Sequence, residues 1–167
     1  IDYMAYCKLN KLHFHLVDSP GWRLELKKYP HFASIGGFRG GDSPLHPVYG
    51  SFDQKYGGYY TQEELRDIVA YASQRNIEVI PEIDMPGHSQ YFDKTFGFGM
   101  ATPEGMEVLE ECLKEFMAEI PAEDCPYIHI GSDEVYIADP EGFMRFCEGV
   151  VKENGRTPLA WYPGLPS

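Results

Sequence analysis

The chain has 167 residues, 43% of them hydrophobic and 14% aromatic, enough for one sizeable core. Twenty-six acidic residues against fourteen basic ones give a formal net charge of -12. With no basic cluster to offset it, this field argues against nucleic acid or an anionic membrane as partner.

IDYMAYCKLN at the start places Ile1, Met4, Ala5 and Lys8 at helical spacing and predicts the end of a helix. KLHFHLVD, residues 11–18, runs apolar and β-prone to Asp18 and predicts a strand. A helix over about 61–75 follows, with Thr61 and Glu64 as a capping box and Leu65, Ile68, Val69 and Ala72 on one face. IEVIPEID is the next strand. Thr102 and Pro103 open a third helix that is expected to bury Met106, Leu109, Leu113, Phe116, Met117 and Ile120. The strand YIHIGS comes next. Asp139 and Pro140 open a fourth helix burying Phe143, Phe146, Cys147 and Val150, and PLAWY is the last strand.

Such alternation argues for parallel β/α units, in a doubly wound sheet or part of a (β/α)8 barrel. No G-x-G-x-x-G follows the first strand and there is no Walker loop, which removes the usual ligands of a doubly wound sheet. The expected fold is α/β, a (β/α)8 TIM barrel of which the chain covers roughly half, about four strands, as one domain over 1–167 with no internal boundary. The chain begins at Ile1 and reads as a piece of a longer one. No apolar run approaches a membrane span and no signal peptide is recognisable. Four cysteines, at 7, 112, 125 and 147, lack C-x-x-C spacing, and Cys112 and Cys147 are expected as buried thiols on helix faces.

Each predicted strand ends in groups suited to chemistry: Asp18, then Glu82 and Asp84, then Asp133 and Glu134, then Trp161. In both candidate architectures function gathers at those carboxyl ends. Two long connections, 36–60 and 85–101, follow strand ends or a segment just after one, and connections of that length are usually functional or mobile.

The run YIHIGSDEV, residues 127–135, meets two adjacent carboxylates after an apolar stretch. Neighbouring side chains of a strand point to opposite faces, so a buried strand cannot hold both acids cheaply and must stop there. The pair is either a solvated loop start, one acid capping a helix, or a catalytic pair with one carboxyl donating a proton and the other steering charge. In an ordinary retaining glycosidase the two carboxylates come from different strands and flank the scissile bond. An adjacent pair suits a mechanism in which the protein supplies no nucleophile. His13 and His15 form an H-x-H that, with His88, His129 and Asp133, could ligate a metal, or they are core histidines bonded to neighbouring strands. Asp18 and His88 lie just beyond strand ends, where a carboxylate holding an imidazole would tune a nearby acid. Trp161 offers a flat face for a sugar ring, or an aromatic plug for the core.

Three blocks in series, KLNKLHFHLVDSPGWRLELKKYP, GGYYTQEELRDIVAYASQRNIEVIPEIDMPGHS and YIHIGSDEV, resemble glycoside hydrolase family 20, the β-N-acetylhexosaminidases, in order and over nearly the whole chain. The resemblance implies exo-acting, retaining hydrolysis of terminal N-acetyl-hexosamine from a glycan or chito-oligosaccharide. The substrate's own 2-acetamido oxygen would attack the anomeric carbon to give an oxazolinium intermediate. By the same resemblance Asp133 would orient the acetamido N–H and stabilise its developing charge, and Glu134 would act as general acid and then base. Asp18 and His88 would be the supporting pair and Trp161 a wall of the acetamido pocket. No metal or organic cofactor is implied. A secreted, periplasmic or lysosomal setting is, and the remaining barrel strands are expected from the parent chain.

The sequence departs from the family's pattern in three places. Gly131 and Ser132 stand where the family usually has two glycines, VDSPGW where it often has two acids and Gln before Gly and Trp, and AWYPG lacks a following acid. The expectation is that these 167 residues are inactive alone. Two rivals are a carbohydrate-binding homologue that has lost turnover, and a metal-dependent hydrolase built on His13 and His15.

Overall fold

The computed structural model describes residues 1–162. In chain order the elements are α1 (Asp2–Tyr6), β1 (Lys11–Asp18), β2 (Gly21–Trp22), α2 (Pro30–Gly36), β3 (Phe38–Arg39), β4 (Tyr56–Gly57) and α3 (Gln62–Ser73). There follow β5 (Glu78–Ile83), α4 (Gln90–Phe96), α5 (Pro103–Glu119), β6 (Tyr127–His129), α6 (Pro140–Glu153) and β7 (Thr157–Leu159). The three long helices start where their caps require. Thr61 accepts from the Glu64 N–H at 3.1 Å while Glu64 accepts from the Thr61 N–H at 2.8 Å. Thr102 and Asp139 accept from the N–H groups of Gly105 and Gly142, each with proline at the first helical position.

β1, β5, β6 and β7 are parallel and lie side by side in chain order, with β2 antiparallel at the end of β1. Helices fill every connection between the parallel strands. A doubly wound sheet reverses its strand order at a switch point, and this one does not, so the four strands form the wall of a (β/α)8 barrel. Val79, Ile83, Ile128 and Ile130 are buried in one core with Leu65, Leu109, Leu113, Phe143 and Val150 of the long helices. Ile68, Met106 and Phe146 are only half-buried, at the margins of their helix faces rather than in the centre as the spacing suggested.

Both long connections contain structure that periodicity did not signal. The first holds the β3–β4 hairpin and the second holds α4. α2 and α4 have seven residues each and no capping side chain. Helices that short are held by tertiary packing, here by Phe32, Tyr91 and Phe92, all fully buried around Trp22. β6 and β7 are shorter than predicted, ending at His129 and Leu159, although the Trp161 N–H still donates to the Gly131 carbonyl at 2.9 Å.

Candidate active site

Period two and register place one polar layer across the sheet. His15 lies opposite Glu82, and Glu82 opposite His129. Ordinary barrel layers are filled by branched apolar side chains. β1 then takes one extra residue, a bulge between His15 and Val17. Leu16 and Val17 are both buried as a result, and Asp18 returns to the face of His15 despite the odd spacing between them. A cavity of about 330 Å³ opens above the layer, lined by His13, His15, Asp18, Glu82, Asp84, His88, Asp133 and Trp161.

Four of the predicted residues converge. His88 Nδ1 lies 3.1 Å from Asp18 Oδ1, and His88 Nε2 lies 3.5 Å from Glu134 Oε2. Asp18 also bonds His15 Nε2 at 3.2 Å and accepts the Ser19 N–H. Burial works against the Asp18 charge, but the bonds from His15 and Ser19 and the nearby His88 outweigh it and hold the carboxyl below its usual range. Glu134 stands at the rim with 77% of its side chain exposed.

Asp133, the neighbour of Glu134 in sequence, lines the cavity. Its Oδ1 is buried and has no hydrogen-bond partner. One oxygen each from Asp84 and Asp133 and a ring nitrogen of His88 lie within 4.8 Å of one another. Asp84 is 2% exposed and accepts the Ser132 N–H at 3.2 Å. Burial, and then the neighbouring Asp133 charge, push the Asp84 carboxyl up to about 7.

The backbone is strained at this point. Of the five non-glycine residues with left-handed φ among the described residues, three are here: His88 at 50°, Ser132 at 74° and Glu134 at 51°. Gly131 has φ 63°, and a Cβ there would sit 1.9 Å from Asp84 Oδ1. Gly87 lets the His88 loop lie against the Asp133 loop, since a Cβ there would meet Val135 at 3.1 Å and the Asp133 carbonyl at 3.2 Å. Left-handed residues flank Asp133 on both sides, Ser132 before it and Glu134 after it, so that Asp133 lines the cavity while Glu134 stands at the rim.

Trp161 is 44% exposed, and its indole N–H donates to Glu82 Oε1 at 2.8 Å. The His13, Glu82 and His129 donor atoms are close enough together to hold a divalent ion. Within this group His129 Nδ1 accepts the Gly131 N–H and Glu82 Oε1 accepts the Trp161 indole N–H, while Glu82 Oε2 is buried without a hydrogen bond beside the His13 and His15 imidazoles. Two site residues, Glu82 and Asp84, were noted in the sequence only as the polar end of a strand. Their signal was two acids in an apolar strand, IEVIPEID, where burial of either needs a partner.

Residues 1–98 match the model of the glycosyl hydrolase family 20 catalytic domain. The chain is 37% identical to a β-hexosaminidase of Vibrio furnissii over 94% of its own length and 29% of the relative's. It is also similar to a family 20 exo-β-N-acetylglucosaminidase of Vibrio harveyi, solved in complex with N-acetylglucosamine, with TM-score 0.86 and 34% identity over 96% of this chain and 32% of that one. A β-N-acetylhexosaminidase structure from Streptomyces coelicolor gives TM-score 0.79 and 30% identity over 97% and 35%. The chain thus spans about a third of the length of these proteins.

Proposed function

This chain belongs to glycosyl hydrolase family 20, and on that premise we propose that the protein carrying it is an exo-acting, retaining β-N-acetylhexosaminidase. The observation that carries the reading is the buried, unpartnered Oδ1 of Asp133, a residue that lines one cavity with Asp18 and His88, beside which Glu134 stands. A buried acceptor without a donor costs free energy until a ligand supplies one. The N–H of a 2-acetamido group is such a donor. With it held, the acetamido oxygen is the internal nucleophile for the anomeric carbon, and the protein needs none of its own.

Glu134 then protonates the leaving oxygen and later takes a proton from the attacking water. Its exposure at the rim suits a group that must meet both an aglycone and water. Asp18 orients His88, and His88 faces Glu134. Asp133 stabilises the positive charge that develops on the acetamido nitrogen. Trp161 packs against the acetamido group with its exposed face. The substrate class is a glycan or chito-oligosaccharide ending in N-acetyl-hexosamine, in keeping with the N-acetylglucosamine bound by the Vibrio harveyi relative.

The test is hydrolysis of an aryl N-acetyl-β-glucosaminide against the matching aryl β-glucoside by the full-length protein, with and without Asp133→Asn. Cleavage of the acetamido substrate alone, lowered by about 100-fold or more in the variant, is expected. Equal cleavage of both substrates would overturn substrate assistance. Sugar binding without turnover would make the protein a carbohydrate-binding homologue.

A further inference from the structure

We propose that Glu82 is a positioning residue that ties Trp161 to the acid/base line through His15. The inference rests on the function proposed above and adds to it a residue that touches no reacting atom. Glu82 is 1% exposed on the interior face of β5, in a layer where an apolar side chain would be the ordinary occupant. A carboxylate there is costly unless every oxygen is compensated.

Oε1 is compensated by a hydrogen bond, while Oε2 is buried with no hydrogen bond and is faced by two imidazoles at ion-pair distance, so the two oxygens lead in different directions. Oε1 accepts the Trp161 indole N–H at 2.8 Å, which sets the rotation of that ring about the strand end. Oε2 lies 2.5 Å from His13 Nε2 and 3.1 Å from His15 Nδ1. His15 in turn places its other nitrogen 3.2 Å from Asp18 Oδ2, and Asp18 holds His88, which faces Glu134. The His15 ring therefore spans two carboxylates with one nitrogen toward each. Only the doubly protonated imidazolium carries a proton on both of those nitrogens.

Burial disfavours that cation, but the bonds to Asp18 and Glu82 outweigh burial and raise its pKa above the ordinary value. The titratable groups around this ring are His13 and Asp18 on β1, Glu82 and Asp84 on and after β5, and His88 on the following loop. His129 and Asp133 complete them, on and after β6. Of these, Glu82 and Asp18 make direct contact with His15. Glu82 keeps His15 charged, and a charged His15 draws on Asp18. Asp18 then has less negative charge to offer His88, the imidazole that faces Glu134, and so the interior carboxylate acts on the acid/base line.

The test uses the full-length protein and steady-state kinetics across pH with the aryl N-acetyl-β-glucosaminide. Glu82→Gln keeps an acceptor for the Trp161 indole through its amide oxygen but removes the charge that holds the His15 proton. Asp18 then acts at full strength on His88, and positive charge held beside Glu134 favours its carboxylate. The expected result is kcat down about tenfold, the basic limb of the kcat profile moved to lower pH, and KM within about twofold of the parent. His15→Asn breaks the middle link without touching Trp161 and is expected to move the same limb in the same direction. Trp161→Phe, which loses only the indole N–H, is expected to raise KM and leave the basic limb in place.

A parent-like pH profile in Glu82→Gln, with only KM or stability changed, would overturn the proposal. If that variant does not fold, a parent-like profile in His15→Asn overturns it instead. Selective cleavage by the parent itself separates the two levels: if it holds while the variants behave as the parent, only the positioning role fails. A parent that does not cleave the acetamido substrate removes the role together with the function.

Discussion

Asp84 is the residue whose environment departs furthest from what its type would suggest in the cavity. It is buried beside Asp133, and its carboxyl is pushed up to about 7, first by burial and then by that neighbour. A neutral Asp84 spares Asp133 a second negative charge, and the proposed role of Asp133 requires its own charge. Above the Asp84 pKa the two carboxylates repel each other across the acetamido position. Asp84→Asn is therefore expected to extend the basic side of the pH profile while leaving activity at pH 5–6 within about tenfold of the parent. Stability carries the same sign. Between the ordinary aspartate value of 3.8 and about 7 the folded state holds a proton that the unfolded chain has released, so stability falls as pH rises through that window. The Asn variant lacks this component. Its urea midpoint is expected to drop less than the parent's between pH 5 and pH 8, and an equal drop in both would refute the assignment.

At the scale of elements, the bulge in β1 and the turn after β6 do the positioning. Alternation alone would send His15 and Asp18 to opposite faces, because their separation is odd. The extra residue at Leu16 reverses that and makes their 3.2 Å bond possible. The turn after β6 runs through two left-handed residues, Gly131 and Ser132. Ser132 pays for its φ of 74° with an Oγ bond to the Gly131 carbonyl at 2.5 Å and an N–H bond to Asp84, so the turn forms without the second glycine. Gly131 has no such freedom. Gly131→Ala would drive a methyl into Asp84, and it is expected to cost about 2 kcal/mol or more of stability and to lower kcat, read by urea unfolding and by the acetamido assay. A variant with parent stability and activity would show that the turn is not held as described.

The whole molecule is an open arc of barrel wall. Among the described residues β7 has no partner beyond it, and β1 pairs on its outer side only with the two residues of β2. His13 and His15 face inward yet remain exposed, which is what an unclosed barrel layer looks like. A sugar held by Trp161 and Asp133 as proposed would be enclosed here from one side. We therefore expect the 167-residue segment, expressed alone, to hydrolyse no aryl N-acetyl-β-glucosaminide, while the full-length protein does. Turnover by the segment that Glu134→Gln abolishes would contradict this. Among the described residues no helix is long and apolar enough to cross a membrane. Cys112 and Cys147 are buried free thiols, as their helix positions suggested.

Much of this was legible in the residues. Caps and apolar stripes marked the three long helices because those signals are local. The alternation of strands and helices marked the barrel, because parallel strands need such crossovers. The blocks around Asp18, His88 and Asp133–Glu134 marked the candidate site, because strand ends are where polar groups can gather without burial cost. The short helices α2 and α4 left no local mark, since packing around Trp22 and Tyr91 holds them. The bulge at Leu16, the left-handed φ angles of His88, Ser132 and Glu134, and the partners of Glu82 and Asp84 were likewise decided by the tertiary structure. Each depends on which side chains from distant segments come within a few ångströms. Sequence determined which residues reach the barrel mouth; only their packing decided which of them share a proton, a charge or a hydrogen bond.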